Sequence, residues 1–236
     1  VLLDYLKKIK AGLFVQIRTF KRFPEEQLIL YKKSGFLYSD HLNAFIDLRG
    51  FDSQNIFSSF KKDKRKGIRR AIQRYNLDIK EYNSVEKSIA IFYNMQKELY
   101  KKKRHAMKSR DFFTNLVAES QGHVRIAFAT FEGKPIASQL YICYNNKITA
   151  LYTATLESHY DKHGGDYLIW YLLKKGIDEG YEVFDFGGGG NPNKFYGPRA
   201  YKERFGTSFQ NVGRLNLPKS YLYNIIMFVY NKVLKN

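Results

Sequence analysis

Val183-Phe184-Asp185-Phe186-Gly187-Gly188-Gly189-Gly190, followed downstream by Tyr201-Lys202-Glu203-Arg204-Phe205-Gly206, is the stretch on which the reading of this chain turns. A β-branched and aromatic run that ends in four glycines reads as a buried strand whose exit lets another backbone or a ligand come very close. Lys202 then returns beside that opening, with Tyr201 and Phe205 as aromatic neighbours.

Upstream of this stretch, Val124 to Phe131 and Ile136 to Tyr144 alternate as strands joined through Glu132-Gly133-Lys134-Pro135, a hairpin signal. Lys147 to Thr155 gives a further strand, Asp166 to Glu179 a helix, and Glu182 to Phe186 the next strand. A last strand near Val212 to Leu217 precedes a terminal apolar helix over Tyr221 to Tyr230. Toward the N-terminus the pattern predicts a helix from Leu2, a strand over Leu13 to Arg18, a helix from Pro24 to Leu30, a strand over Ala44 to Leu48, and one long basic helix from Ser53 to about Tyr75. Helices over Val85 to Lys101 and Ser109 to Glu119 follow, the second with Ser109 as N-cap.

Three segments, Asp63-Lys64-Arg65-Lys66-Gly67-Ile68-Arg69-Arg70-Ala71, Phe184-Asp185-Phe186-Gly187-Gly188 and Tyr201-Lys202-Glu203-Arg204-Phe205-Gly206, give the chain a resemblance to the FemABX peptidoglycan aminoacyltransferases, within the FemAB-like branch of the GNAT acyltransferase superfamily. They stand in that family's order and span most of the chain, although Glu203-Arg204 replaces what in Fem proteins more often looks like lysine-glycine. The resemblance implies an α/β (α+β) fold with mixed sheets in tandem GNAT-like units, the first abbreviated. The expected boundaries are residues 1–78 and 79–217, with a C-terminal helix over 218–236. It also implies transfer of an aminoacyl group from aminoacyl-tRNA to an amine of a peptidoglycan precursor, lipid II or a UDP-linked muropeptide, with neither metal nor organic cofactor. The alternative is a GNAT enzyme using acetyl-CoA as acyl donor on an amino sugar or other envelope metabolite.

The net charge of +18 and pI near 9.7 call for a polyanionic partner: nucleic acid, anionic lipid or a pyrophosphate-bearing substrate. The single Cys143 lies in an alternating strand as a small hydrophobe, which excludes a disulfide framework, and no zinc-type ligand cluster is present. No run approaches the ~20 apolar residues that cross a bilayer, and the start of the chain lacks a signal-peptide pattern. The expectation is a cytoplasmic protein with peripheral contact at the inner membrane face.

Lys202 matches the family's lysine in this motif, and a fixed cation placed where an acyl-transfer oxyanion develops lowers the barrier. Asp185, in an apolar strand, is the candidate general base. Gly187, Gly188, Tyr201 and Phe205 are expected to line the substrate site. On a helix, Lys62, Arg65, Lys66, Arg69 and Arg70 share one face, with Ile68, Ala71 and Ile72 opposite. Arg65, Arg69 and Arg70 are therefore expected to grip the acceptor's pyrophosphate. Lys101, Lys102, Lys103 and Arg104 form a basic run suited to tRNA. Between Tyr160 and Asp166 two glycines stand where coenzyme A pyrophosphate would bind, but Asp161 and Asp166 set negative charge there, which counts against that donor.

Overall fold

The protein is described by a computed structural model covering residues 2–8, 12–220, 222–223 and 225–226. Two compact units are formed, and neither is contiguous in sequence. The smaller comprises Val1–Asn43, Gly188–Gly197 and Phe209–Asn236, the larger Ala44–Gly187 and Pro198–Ser208. These units do not follow the boundaries expected at residues 78 and 217. Residues 44–78 belong with the larger unit because their apolar positions, Ile56, Phe60, Ile68 and Ala71, are buried within it.

In the smaller unit, β1 (Phe14–Arg18), β10 (Arg214–Pro218) and β2 (Leu37–Ser39) form an antiparallel three-stranded sheet in the order β1-β10-β2. Alternation divides its faces: Val15, Ile17, Tyr38, Leu215 and Leu217 pack around Phe23 and Phe36, with Leu28 and Tyr31 of α2 (Glu25–Lys33) and Leu3 and Leu6 of α1 (Leu2–Lys8). Pro24 is the N-cap of α2, as its sequence position predicts. Of the helix expected over 218–236, Pro218 belongs to β10 and residues 219–220 are not helical, residues 222–223 and 225–226 are helical, and the remainder lies outside the described residues.

The second sheet is mixed, with strand order β4-β5-β6-β7-β8-β3-β9. Its strands are β3 (Leu42–Asp47), β4 (Asp78–Lys80), β5 (Val124–Phe131), β6 (Lys134–Tyr144), β7 (Lys147–Thr155), β8 (Val183–Gly190) and β9 (Ser208–Asn211). Two tight turns set the antiparallel register. Glu132 and Gly133 both take positive φ between Phe131 and Lys134, and Asn145 and Asn146 do the same between Tyr144 and Lys147. That is the backbone two-residue hairpins demand. β7 then pairs in parallel with β8, which requires a crossover, supplied by α7 (Gly164–Asp178).

On one side of these strands, α5 (Val85–Lys103) and α6 (Arg110–Ala118) enclose a core of Ile89, Phe92, Phe113, Phe128 and Leu140. Ser109 caps α6 by accepting from the Phe112 N–H. The basic helix expected as one piece is three. α3 (Ser53–Ser59) ends at Phe60, whose ψ is 151°; α4 (Lys62–Arg69) restarts after Lys61, and residues 70–74 close as a π-helical turn. The wider turn rotates the phase, so Ile72, expected on the buried stripe, is 40% exposed while Ile68 and Ala71 are fully buried. Among the described residues no helix is long and apolar enough to cross a membrane.

Candidate active site

The three motif segments meet within the larger unit through an aromatic core. Phe205 has no solvent exposure and packs edge-on against Phe60 at 5.3 Å, with Tyr201 at 5.3 Å and Phe186 at 5.8 Å between ring centroids. Phe57 and Phe60 extend the cluster to Trp170 of α7. The backbone ties the same segments: Lys61 N–H donates to Arg204 C=O at 2.9 Å, and Arg204 Nη2 lies 3.0 Å from Asp63 Oδ2. Gly206 ends the motif at φ +72°, where a Cβ would come within 3.0 Å of Ser59 Oγ. Phe205, expected to wall the substrate site, is thus a core anchor that positions its neighbours.

Beside this core lies a buried polar centre that the sequence did not disclose. Lys64 Nζ donates to Asp166 Oδ1 at 2.7 Å, the two side chains retaining 9% and 10% exposure. Tyr201 Oη donates to the same oxygen at 2.8 Å, and the Lys64 ammonium stands 4.1 Å from the Tyr201 ring centroid. His163 Nδ1 is 3.6 Å from Asp166 Oδ2. Tyr201 as a residue is 37% exposed, but enclosure of its hydroxyl, and then the Asp166 charge, push its pKa well above the usual value. The signal for Lys64 was its phase: it falls on the stripe of Ile68 and Ala71, the one lysine of this motif placed on the buried side.

Lys202 lies on α8 (Gly197–Glu203), an element not expected from the sequence. Its Nζ donates to Phe186 C=O at 2.7 Å. Burial lowers its pKa to about 8, against the opposing pull of the Asp185 charge. The acceptor carbonyl belongs to the residue just beyond the last registered β7–β8 pair, Thr149 with Asp185. On β7, Leu151 is bulged out between the partners of Leu140 and Tyr141, so the strand bends where the pairing with β8 stops. The lysine is therefore held at the point where two parallel strands part.

Asp185 is 2% exposed; its Oδ1 accepts from Gly187 N–H at 2.7 Å, and its Oδ2 is 3.7 Å from Lys147 Nζ. These bonds assign it to ordering the glycine turn. The glycines do not end the strand, since β8 runs through Gly190. Gly187 is needed for its backbone, φ +73°, since a Cβ there would make only an ordinary contact with Ala150 C=O at 3.9 Å; Gly188 is needed for close approach, since a Cβ there would lie 2.7 Å from His41 Nε2.

Lys62, Arg65, Lys66, Arg69, Arg70, Gln73 and Arg74 line an open groove of about 530 Å³ along α4 and the π turn. Arg65 Nη1 is already committed, donating to Ser58 C=O at 2.6 Å and Phe60 C=O at 2.9 Å, so it closes the end of α3. Arg69 stacks over Phe57 with its guanidinium carbon 5.5 Å from the centroid. Lys101, Lys102, Lys103 and Arg104 sit elsewhere, in the exposed last turn of α5, where cations complement the helix dipole; Lys102 pairs with Glu157 and Arg104 takes the left-handed cap position.

At the start of α7, Gly164 and Gly165 are explained by packing: a Cβ on Gly164 would lie 3.2 Å from that of Ala137, and on Gly165 2.9 Å from Thr155 Oγ1. The neighbouring α4 passes equally close, a Cβ on Gly67 falling 2.8 Å from His163 Nδ1. Asp166 in the first turn places the protein's own carboxylate there, with His163, in left-handed conformation, as N-cap. This helix start does not fit a pyrophosphate cradle.

The sequence profile of the acetyltransferase (GNAT) domain matches residues 58–203, which contain α4, β5 to β8 and Lys202. No curated protein sequence matches the chain. Among solved structures, that of FemX superposes with a TM-score of 0.72 at 14% identity, covering 95% of this chain and 78% of that one. The C-terminal domain of a putative lysylphosphatidylglycerol synthetase from Agrobacterium fabrum gives 0.64 at 14% identity, covering 91% and 71%. The L-PGS structure from Bacillus licheniformis gives 0.59 at 18%, covering 86% and 69%. At these identities the likeness is one of fold.

Proposed function

The chain belongs to the acetyltransferase (GNAT) family and is an acyltransferase of that type; from this premise we propose that it moves an aminoacyl group from aminoacyl-tRNA to an amine of a peptidoglycan precursor. The observation that carries the proposal is Lys202, a cation of lowered pKa held on the Phe186 carbonyl where β7 and β8 diverge. The acceptor amine attacks the ester carbonyl carbon and the new C–N bond forms. The tetrahedral oxyanion is stabilised by the Lys202 ammonium; on its collapse the C–O bond to the tRNA ribose breaks, and the amine's proton passes to the departing oxygen through solvent. Asp185 contributes by fixing the turn, and Tyr201 by holding the segment that carries the lysine.

An aminoacyl ester needs no pyrophosphate cradle, which agrees with glycines at the start of α7 that serve packing. The groove cations Arg69 and Arg70, with Lys62, Lys66 and Arg74, suit the acceptor's phosphates, and the basic turn at 101–104 suits the tRNA. Peripheral contact with anionic lipid accords with the same charge. FemX and the lysylphosphatidylglycerol synthetase domain, both similar in fold, lend the aminoacyl donor its support.

A transfer assay with a panel of radiolabelled aminoacyl-tRNAs and a muropeptide acceptor tests this reading. The expected result is label in the muropeptide, lost with Lys202→Ala. Micromolar binding of acetyl-CoA with no transfer from any charged tRNA would overturn it in favour of a coenzyme A-dependent enzyme.

A further inference from the structure

The smaller unit carries a cationic pair that its fold does not neutralise. Arg18 of β1 and Arg214 of β10 are direct cross-strand partners, an arrangement that like charges disfavour. Both lie on the face opposite the Val15, Ile17, Leu215 and Leu217 core, in a row with Ser39 of β2, which pairs with Arg214. Each guanidinium is held in place by a neutral group. Arg18 Nε donates to Gln16 Oε1, and Gln16 Nε2 donates in turn to Asn216 Oδ1. Arg214 Nη2 donates to His41 Nε2 at 2.7 Å, so that nitrogen is an acceptor. Asp40, the acid next to this row, accepts from Asn211 Nδ2 at 2.7 Å and bonds Tyr38. Burial, and then the Arg18 charge, lower the Arg214 pKa. Among the described residues neither arginine has a carboxylate partner.

Two arginines on directly opposite residues, each bonded to an acceptor that is not a carboxylate, suit an anion with several oxygens better than they suit each other. Gly188 keeps the place open for them, since a Cβ there would meet both His41 and Arg214. We propose that Arg18 and Arg214, on the polar face of the three-stranded sheet, bind a phosphate or diphosphate group. This site shares no residue with the α4 groove and stands whether or not the donor is aminoacyl-tRNA.

The test is a titration of the whole chain, labelled at the arginine Nε–Hε groups, with inorganic pyrophosphate at physiological salt. Arg18 and Arg214 signals, identified by their loss in Arg18→Gln and Arg214→Gln, are expected to shift and saturate below millimolar concentration. Arg18→Gln, at an exposed position, is expected to keep the fold and raise the dissociation constant at least tenfold for the Arg214 signal. Shifts that are absent or fail to saturate, or an Arg18→Gln protein that titrates like the parent, overturn the proposal. Vesicles of phosphatidylglycerol in phosphatidylcholine separate the sources. Binding lost in Arg18→Gln and displaced by pyrophosphate assigns a lipid phosphodiester, whereas vesicle binding indifferent to Arg18 alongside saturable pyrophosphate binding assigns a soluble phosphate compound.

Discussion

Lys64 and Asp166, 102 positions apart in sequence, form a buried ion pair with Nζ 2.7 Å from Oδ1, and the Tyr201 hydroxyl completes the coordination of that oxygen. The pair fastens α4 to α7, while Tyr201 fastens the lysine-bearing segment to both. Removing one partner leaves the other charge buried without compensation. Lys64→Met is expected to cost about 3–5 kcal/mol in urea unfolding, and Lys64→Met with Asp166→Leu to recover most of it. A single variant as stable as the parent would show that the pair is solvated.

Tyr201→Phe removes one hydrogen bond to a charged oxygen but leaves the ring beneath Lys64. The expected loss is about 1.5–3 kcal/mol, with transfer activity reduced through displacement of Lys202. Rates and denaturation curves measured on the same preparation check both effects.

Lys202, with a pKa near 8 when folded against about 10.4 when unfolded, sets two pH dependences. The unfolded state binds more protons between these values, so stability is expected to rise with pH from about 8 to 10.4, a rise that Lys202→Met abolishes in thermal melts. Transfer should fall above pH 8 as the cation is lost. Lys202→Arg, which stays charged, is expected to remove that alkaline limb, and Lys202→Ala to lower transfer by about two orders of magnitude with the fold kept.

Gly187→Ala and Gly188→Ala separate two reasons for a glycine. At Gly187 space is available and only the left-handed backbone opposes a side chain, costing about 1–2 kcal/mol. At Gly188 the new methyl would stand 2.7 Å from the His41 ring, so displacement of that ring, read from its proton resonances, is expected.

Arg65 and Arg70 lie on one groove but should behave differently. Arg65→Ala frees the carbonyls of Ser58 and Phe60 and is expected to lower stability by about 1–3 kcal/mol with acceptor affinity unchanged. Arg70→Ala is expected to leave stability intact and weaken acceptor binding in calorimetry.

Local chemistry made much of the fold legible. The hairpin through Gly133 and the Ser109 cap are each decided within a few residues by backbone preference and period. The three motifs were readable as a set, and Lys202 and the groove cations with them. Other features were not: the break at Phe60 within an unbroken run of helix-compatible residues, the assignment of Arg65 to backbone carbonyls, and the burial of Lys64 against an acid far along the chain.

The sequence by itself determined the hairpin of β5 and β6, the succession β7, α7, β8 and the basic face of α4, because these follow from steric limits and periodicities a few residues long. Tertiary structure alone decided which cations are spent on the fold, and that neither unit is contiguous in sequence. Those outcomes depend on which distant charges and rings become neighbours, and no local pattern encodes a partner one hundred residues away.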